Sequence, residues 1–282
     1  MIEAADGTKL YTKYAGDGPP CLFIHGGPGA WSYHFEALGG NVLEASLNMI
    51  YVDQRGCGRS TKPENEDYKL DTIVEDFETV REAYGIKEWI VLAHSFGGIL
   101  AIRYATRFPG QIKALILMNC TLSMPESLQH QTRIGWEMLQ DMDDAFVLDE
   151  KMSTFDQWYS VALRLMKHDQ YYRLQYETRE AYVLGQKVDS PLTSDPGFQN
   201  HVFASSEYLQ DFREATSQIQ IPTLVIAGTD DHAIGPTHHE GFRFSNQEVA
   251  LLHGKHVPYQ ENTARLQSVI EDFVRKKHPF PR

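Results

Sequence analysis

The feature that most constrains this chain is a short apolar run that is interrupted by one serine and two glycines. Residues 89–94 read Trp-Ile-Val-Leu-Ala-His, which is typical of a buried strand. Residues 99–102 resume the apolar pattern at a spacing that suits a helix. Ser95 therefore lies at a predicted strand-to-helix turn. So sharp a turn forces a serine into a strained backbone conformation and exposes its hydroxyl group above the sheet edge.

The residues two positions before and two after this serine must be small, because larger side chains would collide across the turn. Ala93 and Gly97 meet that requirement. The segment is thus a relaxed form of the Gly-x-Ser-x-Gly nucleophile elbow, with alanine at its first position. A serine that caps a helix beside a chance pair of glycines explains the same residues. The segment alone leaves both interpretations open.

Size and composition limit the class of protein. A chain of 282 residues with 42% hydrophobic content can form one large α/β domain, with or without an insertion. Its formal net charge of −12 argues against nucleic acid or an anionic membrane as a partner, because both would repel it. The N-terminus lacks the pattern of a signal peptide, and no apolar run has membrane-spanning length. We expect a cytoplasmic protein that acts on a small molecule.

The cysteines and histidines show no metal-type spacing. Cys21, Cys57 and Cys120 are an odd number, so we expect free thiols and neither a disulfide framework nor a zinc site. We interpret the 12 histidines mainly as solvated loop residues. No metal and no cofactor is expected.

Residues 7–14 are weakly strand-like, and two buried strands are then predicted before the serine strand, each ending in a glycine-rich loop. Residues 21–24 lead into His-Gly-Gly-Pro-Gly at 25–29, where glycines allow backbone N–H groups to face a ligand. An oxyanion hole needs such fixed donors, although a flexible surface turn is the alternative. Residues 47–52 lead into Asp-Gln-Arg-Gly-Cys-Gly-Arg-Ser at 53–60. Arginine and aspartate so close together could hold a structural loop by charge-assisted bonds, and Asp53 is also a candidate catalytic acid.

Helices are predicted to alternate with the strands. Residues 70–84 carry apolar side chains on one helical face, with Asp71 placed to cap the start and Gly85 to end the helix. After the serine strand and its helix, another buried strand is predicted at residues 114–119. This succession predicts an α/β fold with a mostly parallel, doubly wound sheet.

The pattern changes after this strand. Residues 121–217 show helical spacings and no convincing buried strand, whereas residues 218–282 restore the sheet and end in an amphipathic helix. We therefore predict a core of residues 1–120 and 218–282 and a helical cap of residues 121–217. A cap in this place would cover the carboxyl ends of the strands, where ligands bind in such folds.

A serine hydroxyl needs a base to remove its proton and a carboxylate to hold that base. Asp230 and Asp231 follow one predicted strand, and His253 and His256 follow the next. An acid and then a histidine after Ser95 is the chain order expected of an elbow in an α/β-hydrolase sheet. The residues themselves thus favour nucleophilic catalysis.

The loops at residues 25–29 and 53–60 resemble the two signature loops of the proline iminopeptidase-like branch of the α/β-hydrolase superfamily. The resemblance covers nearly the whole chain outside the predicted cap. It implies Ser95 as the nucleophile. It also implies His256 as the general base, because residues 254–261 resemble the histidine loop of that family.

The resemblance also selects among the remaining candidates. It implies Asp231 as the acid, since the family usually places this aspartate three residues after the glycine that ends the strand. It implies an oxyanion hole made by the backbone N–H groups of Gly27 and Phe96.

The chain departs from proline iminopeptidases in two places. Its elbow reads Ala-His-Ser-Phe-Gly where those enzymes generally have Gly-Gly-Ser-Trp-Gly, and its cap lacks their cluster of tryptophans beside a glutamate. Glu177, Glu180 and Glu207 are possible anchors for a substrate amine, although a solvated helix face explains them as well. We therefore expect a carboxylesterase that acts on small esters.

Two other functions stay open. A proline iminopeptidase-type aminopeptidase, acting on short peptides or amides, is the nearer alternative. A non-catalytic ligand receptor of the same fold is the other. Dehalogenase and epoxide-hydrolase chemistry does not suit the chain, because it needs a carboxylate nucleophile in place of Ser95.

Overall fold

The computed structural model describes residues 1–140, 142 and 147–277. Its strands are β1 (Ile2–Glu3), β2 (Lys9–Leu10), β3 (Thr12–Ala15), β4 (Pro20–Ile24), β5 (Asn48–Val52), β6 (Trp89–His94), β7 (Ile112–Met118), β8 (Thr223–Gly228) and β9 (Gln247–Leu252). Its α-helices are α1 (Ser32–Ala37), α2 (Leu70–Ala83), α3 (Gly97–Arg107), α4 (Met124–Gln140), α5 (Thr154–Lys167), α6 (Arg179–Asp189), α7 (Pro196–Ala204), α8 (Ser206–Leu209), α9 (Pro258–Glu261) and α10 (Thr263–Lys277).

The main sheet has the strand order β3-β5-β4-β6-β7-β8-β9. Strand β3 runs antiparallel to β5, and the other neighbours pair in parallel. Strand β6 lies in the middle, and every one of its residues is buried. Because helices cover both faces of a parallel sheet, such a central strand is a nearly continuous apolar run rather than an alternating one, and in β6 only the last residue, His94, is polar. The predicted α/β-hydrolase fold with a mostly parallel sheet is confirmed.

Successive residues of β6 face opposite layers, as the pleat of a strand requires. Val91 belongs to the apolar layer that contains Phe77 of α2 and Ile99 of α3. Ile90 belongs to the layer on the other face, which contains Ile270 of α10. The elbow that follows β6 is therefore anchored by two hydrophobic layers.

One predicted helix boundary needs correction. Lys69, without a side-chain bond, is the residue that caps α2, and Asp71 lies inside the first turn. The Asp71 carboxylate instead accepts two hydrogen bonds from Arg103, at 2.6 and 2.9 Å. Because α2 already begins at Leu70, Asp71 lies within the helix and cannot be its cap, so its carboxylate is available to pair with Arg103.

Between β7 and β8 the described chain forms helices and turns but no strand of the main sheet. Helices α4 and α5 pack so closely at Gly135 that a Cβ there would lie 2.6 Å from Val161 Cγ1. This region has a small apolar core of its own, which includes Leu139, Val161 and Leu165. The boundaries 121–217 of a cap remain our proposal.

The structure also bears on the cysteines and histidines. All three cysteines are free and buried, and burial raises the pKa of each thiol. The expectation of solvated histidines is wrong for His25, His94 and His238. These three are buried, and each ring forms a hydrogen bond with a backbone group of another segment.

Within the described part of the chain, no helix combines the length and apolar character needed to cross a bilayer.

Candidate active site

The elbow places Ser95 in the left-handed region of backbone conformation, with a φ of 56°. Its amide N–H donates to the carbonyl groups at the end of β7, 3.1 Å from Asn119 O and 3.3 Å from Met118 O. A Cβ on Gly97 would lie 2.5 Å from Ile24 O, so the turn has no room for a larger residue there. The strain and the small neighbour that the sequence predicted are both present.

Three side chains from three strand ends form one hydrogen-bonded chain. Ser95 Oγ lies 2.9 Å from His256 Nε2, and His256 Nδ1 lies 2.8 Å from Asp231 Oδ2. Asp231 is 1% exposed, and its Oδ1 accepts a hydrogen bond from the Ala233 amide. The carboxylate favours the tautomer with a proton on Nδ1, which leaves Nε2 free to accept the serine proton.

The competing acid and base lie outside this chain of bonds. The His253 side chain is 84% exposed, and its Nδ1 lies 3.5 Å from Asp230 Oδ2. Asp230 also accepts a hydrogen bond from the Thr229 hydroxyl. Neither residue bonds to Ser95 among the described contacts.

Three hydrogen bonds hold the loop that carries His256. His94 Nε2 donates to His256 O at 2.8 Å, and Asn119 Nδ2 donates to Lys255 O at 2.7 Å. The His256 amide donates to Gln175 O at 3.0 Å. Sequence reasoning missed these contacts. The available signal was that His94 and Asn119 are polar residues at the ends of two buried strands.

Burial and the neighbouring His256 lower the pKa of His94 well below its usual value. His94 is therefore neutral at physiological pH, and its single ring proton lies on Nε2, where the carbonyl of His256 accepts it.

Asn119 joins two of the loops that meet at the site. Its Oδ1 accepts the Gly228 amide at 2.9 Å, while its Nδ2 holds the histidine loop. Gly228 ends β8, and Asp231 follows it by three positions. One buried amide thus fixes the spacing between the strand end that carries the acid and the loop that carries the base.

His25, the first residue of the glycine-rich loop after β4, fixes that loop by two hydrogen bonds. Its Nε2 accepts the Gln54 amide at 3.0 Å, and its Nδ1 donates to Gly26 O at 2.9 Å. Burial lowers the pKa of His25, which keeps the ring neutral, so that it can accept one hydrogen bond and donate the other. Gly27 has a φ of 124°, a conformation that favours glycine. These hydrogen bonds hold the start of the loop in one conformation, as a set of fixed N–H donors requires.

Gly27 and Phe96 both border a cavity beside Ser95. Phe96 stands at the start of α3, where backbone N–H groups have no partner inside the helix and the helix dipole is positive. Both predicted oxyanion donors therefore belong to segments that flank the serine.

Asp53 lies apart from this hydrogen-bonded chain. It is fully buried and accepts bonds from the Ser32 amide and from Arg59 Nε, at 2.9 and 2.7 Å. Burial by itself would raise the pKa of Asp53, but the hydrogen bonds from Arg59 and from the Ser32 hydroxyl lower it, so the carboxylate stays ionised. The contacts agree with the interpretation of residues 53–60 as a structural loop.

A cavity of about 430 Å³ extends from Ser95 beneath the helices between β7 and β8. Its wall includes the apolar or aromatic residues Met124, Leu128, Phe155, Trp158, Tyr171 and Phe203. Among the described residues that line it there is no aspartate and no glutamate. In particular, Glu177, Glu180 and Glu207 do not line it.

Gln131, one of the polar side chains on this wall, is already engaged. Gln131 Nε2 donates to Ala233 O at 2.6 Å, and its Oε1 accepts Trp158 Nε1 at 2.8 Å. The Tyr171 hydroxyl lies 3.4 Å from the same oxygen. Gln131 is therefore satisfied within the protein, while Gln175, Gln199 and Asn200 add polar groups to a wall that is otherwise mostly apolar.

A second cavity of about 190 Å³ also reaches Ser95 and His256. Its wall contains Asp189 at the end of α6, together with Trp31 and His34. Sequence reasoning gave no role to Asp189.

Comparisons with known proteins agree with this geometry. A proline iminopeptidase from Heyndrickxia coagulans is 27% identical over 287 residues, which cover 97% of each chain. The solved proline iminopeptidase-related protein of Thermus thermophilus has a TM-score of 0.83 at 20% identity, covering 99% of this chain and 98% of that one. An esterase from Exiguobacterium antarcticum has a TM-score of 0.70 at 18% identity, covering 97% and 98%.

The family model described as the alpha/beta hydrolase fold matches residues 19–263. This range contains every strand of the main sheet from β4 onward and all the residues of the candidate site. The protein is therefore an enzyme of the hydrolase kind, similar to proline iminopeptidases, and the chain belongs to the α/β-hydrolase family.

Proposed function

We propose that this protein is a serine hydrolase that cleaves small carboxylic esters through an acyl-enzyme. Ser95 acts as the nucleophile, His256 as the general base, and Asp231 orients the imidazole. The unbroken hydrogen bonds from Ser95 Oγ through His256 to Asp231 support these roles.

In the first half of the reaction, His256 Nε2 takes the proton from Ser95 Oγ as that oxygen attacks the ester carbonyl. The N–H groups of Gly27 and Phe96 stabilise the negative charge that develops on the carbonyl oxygen, each by about 3 kcal/mol. The protonated His256 then gives its proton to the departing alcohol. A water molecule, activated by the same imidazole, hydrolyses the acyl-enzyme and returns Ser95 to its free form.

The preference for esters rests on the larger cavity. A substrate with a charged amino terminus would lose its hydration there, and this loss is offset only by a buried opposite charge. The described wall offers no carboxylate to a group bound in this space. A neutral acyl chain, by contrast, gains from contact with the aromatic and aliphatic side chains.

The alternative is a proline iminopeptidase activity, for which the relative from Heyndrickxia coagulans is named. The two functions are separated by comparing kcat/KM for p-nitrophenyl butyrate with kcat/KM for proline p-nitroanilide. We expect the ester to be preferred. A clear preference for the proline amide would reverse the ranking.

Labelling by a fluorophosphonate, and its loss in Ser95→Ala, distinguishes an enzyme with this nucleophile from a ligand receptor. Absence of labelling in the native protein would contradict the proposed mechanism. A cytoplasmic location is part of the same proposal.

A further inference from the structure

The smaller cavity differs in chemistry from the larger one, although both reach Ser95 and His256. Much of its wall is aromatic, with Phe23, Trp31, Phe35, Tyr176 and Tyr259. Asp189 is the one carboxylate among its described lining residues, and no lysine or arginine lies beside it on that wall. The larger cavity has no such charge.

Two side chains hold the Asp189 carboxylate in place, and its oxygens can still accept further hydrogen bonds. Its Oδ1 accepts Trp31 Nε1 at 2.7 Å, and its Oδ2 lies 2.9 Å from His34 Nδ1. Each carboxylate oxygen accepts more than one hydrogen bond, so both keep capacity for another partner. The side chain is 28% exposed, which leaves it accessible from the cavity. The carboxylate provides the negative charge of this wall.

An ammonium group fits these surroundings. A cation is attracted both to a carboxylate and to aromatic rings, and aromatic cages are a recurrent solution for quaternary ammonium ligands. A cavity of about 190 Å³ is large enough for a small onium group but not for a long acyl chain. The net charge of −12 of the whole chain also favours the approach of a cation.

The departing alcohol must lie beside His256, because the imidazole gives it a proton. The smaller cavity is walled by His256 and Val257 and by His94, the ring that bonds the His256 carbonyl. Its volume suits a short alcohol, whereas the larger cavity offers the length and the apolar wall that an acyl chain needs.

We propose that the smaller cavity binds the alcohol part of esters whose alcohol carries an ammonium group, with Asp189 as the residue that selects the charge. This inference rests on the proposed esterase function and specifies its substrate class. Hydrolysis proceeds as described above, and the released alcohol leaves with the proton from His256.

The test compares two butyrate esters of nearly the same shape. Butyrylcholine carries a trimethylammonium group, and neohexyl butyrate has a tert-butyl group in its place. We expect kcat/KM to be at least about tenfold higher for the charged ester in the native enzyme. In Asp189→Asn this ratio should fall toward one. Glu180→Gln removes an equal charge from the exposed start of the same helix, and it should leave the ratio and the basal activity unchanged.

Tetramethylammonium chloride gives a measurement that needs no variant. At constant ionic strength it should inhibit the hydrolysis of p-nitrophenyl butyrate competitively, whereas sodium chloride should not. A native enzyme that shows no preference for butyrylcholine, or a ratio that Asp189→Asn leaves unchanged, would overturn the inference about this cavity. If p-nitrophenyl butyrate hydrolysis does not depend on Ser95, the proposed function itself fails, so the two failures are distinguishable.

Discussion

His94, the residue immediately before the candidate nucleophile, donates a 2.8 Å hydrogen bond from Nε2 to the backbone carbonyl of His256. The two imidazole rings lie 4.7 Å apart between centroids. The nucleophile and its candidate base are therefore joined twice. One link is the direct bond between Ser95 Oγ and His256, and the other is the bond from the His94 side chain to the backbone carbonyl of His256. This second link makes His94 a positioning residue.

We expect His94→Phe to lower kcat by about tenfold or more with little change in KM, because the imidazole of His256 is no longer held at its angle to Ser95. The unpaired carbonyl should also reduce the free energy of unfolding by about 1–3 kcal/mol. His94→Gln, whose amide can donate the missing bond, should recover part of the lost kcat. The measurement is kcat per site titrated with a fluorophosphonate, which corrects for inactive protein. Equal kcat values for the two variants would contradict the positioning role.

Asp231→Asn should lower kcat on the order of 10⁴-fold, because the amide favours the wrong tautomer of His256. Asp230→Asn provides the matched control, since this neighbouring carboxylate bonds Thr229 and is exposed. It should leave kcat within a factor of two or so, as is usual for surface changes. Steady-state kinetics on p-nitrophenyl butyrate checks both. A large loss in Asp230→Asn would mean that the acid is misassigned.

Gly26→Ala should reduce activity sharply. The added Cβ would lie 2.7 Å from Ser95 Cβ and 3.1 Å from His94 O, so the serine must shift. Displacement of a reacting group by about 1 Å typically costs on the order of 100-fold in rate. Gly110→Ala, where a Cβ meets nothing within 4 Å, controls for the substitution itself. A native kcat in Gly26→Ala would contradict the prediction, because it would show that the loop shifts without displacing Ser95.

His238 should make stability depend on pH in the acidic range. Burial lowers its pKa from 6.5 to about 4, and its Nε2 accepts the Leu122 amide as the neutral ring. Below pH 6.5 the unfolded chain binds a proton that the folded chain does not bind until about pH 4, so stability falls as the pH falls through this window. Between pH 7 and pH 5 the loss should be about 2 kcal/mol.

Urea unfolding of the native protein and of His238→Gln at both pH values measures this contribution. The variant keeps an acceptor for Leu122 but cannot titrate, so its free energy of unfolding should change less between the two pH values. Identical pH dependence in the two proteins would show that His238 is not responsible.

The sequence by itself determined the features that depend on neighbours in the chain. Buried apolar runs predicted strands such as β6, and the serine between small residues predicted the elbow. The alternation of strands with helices predicted the mostly parallel, doubly wound sheet, and this prediction is confirmed. The chain order of serine, acid and histidine could also be read directly. These inferences succeed because strand period, helix period and turn sterics act over a few residues.

The tertiary structure decided which residues that are distant in the chain lie together. Ser95 and His256 are 161 positions apart, and only the packing of two hydrophobic layers places their side chains 2.9 Å from each other. The same packing turns Asp231 inward and leaves Asp230 exposed, although the two are adjacent in the chain. It also brings Asp189 to a cavity beside the serine. Such contacts follow from burial and long-range hydrogen bonding, which no local pattern encodes.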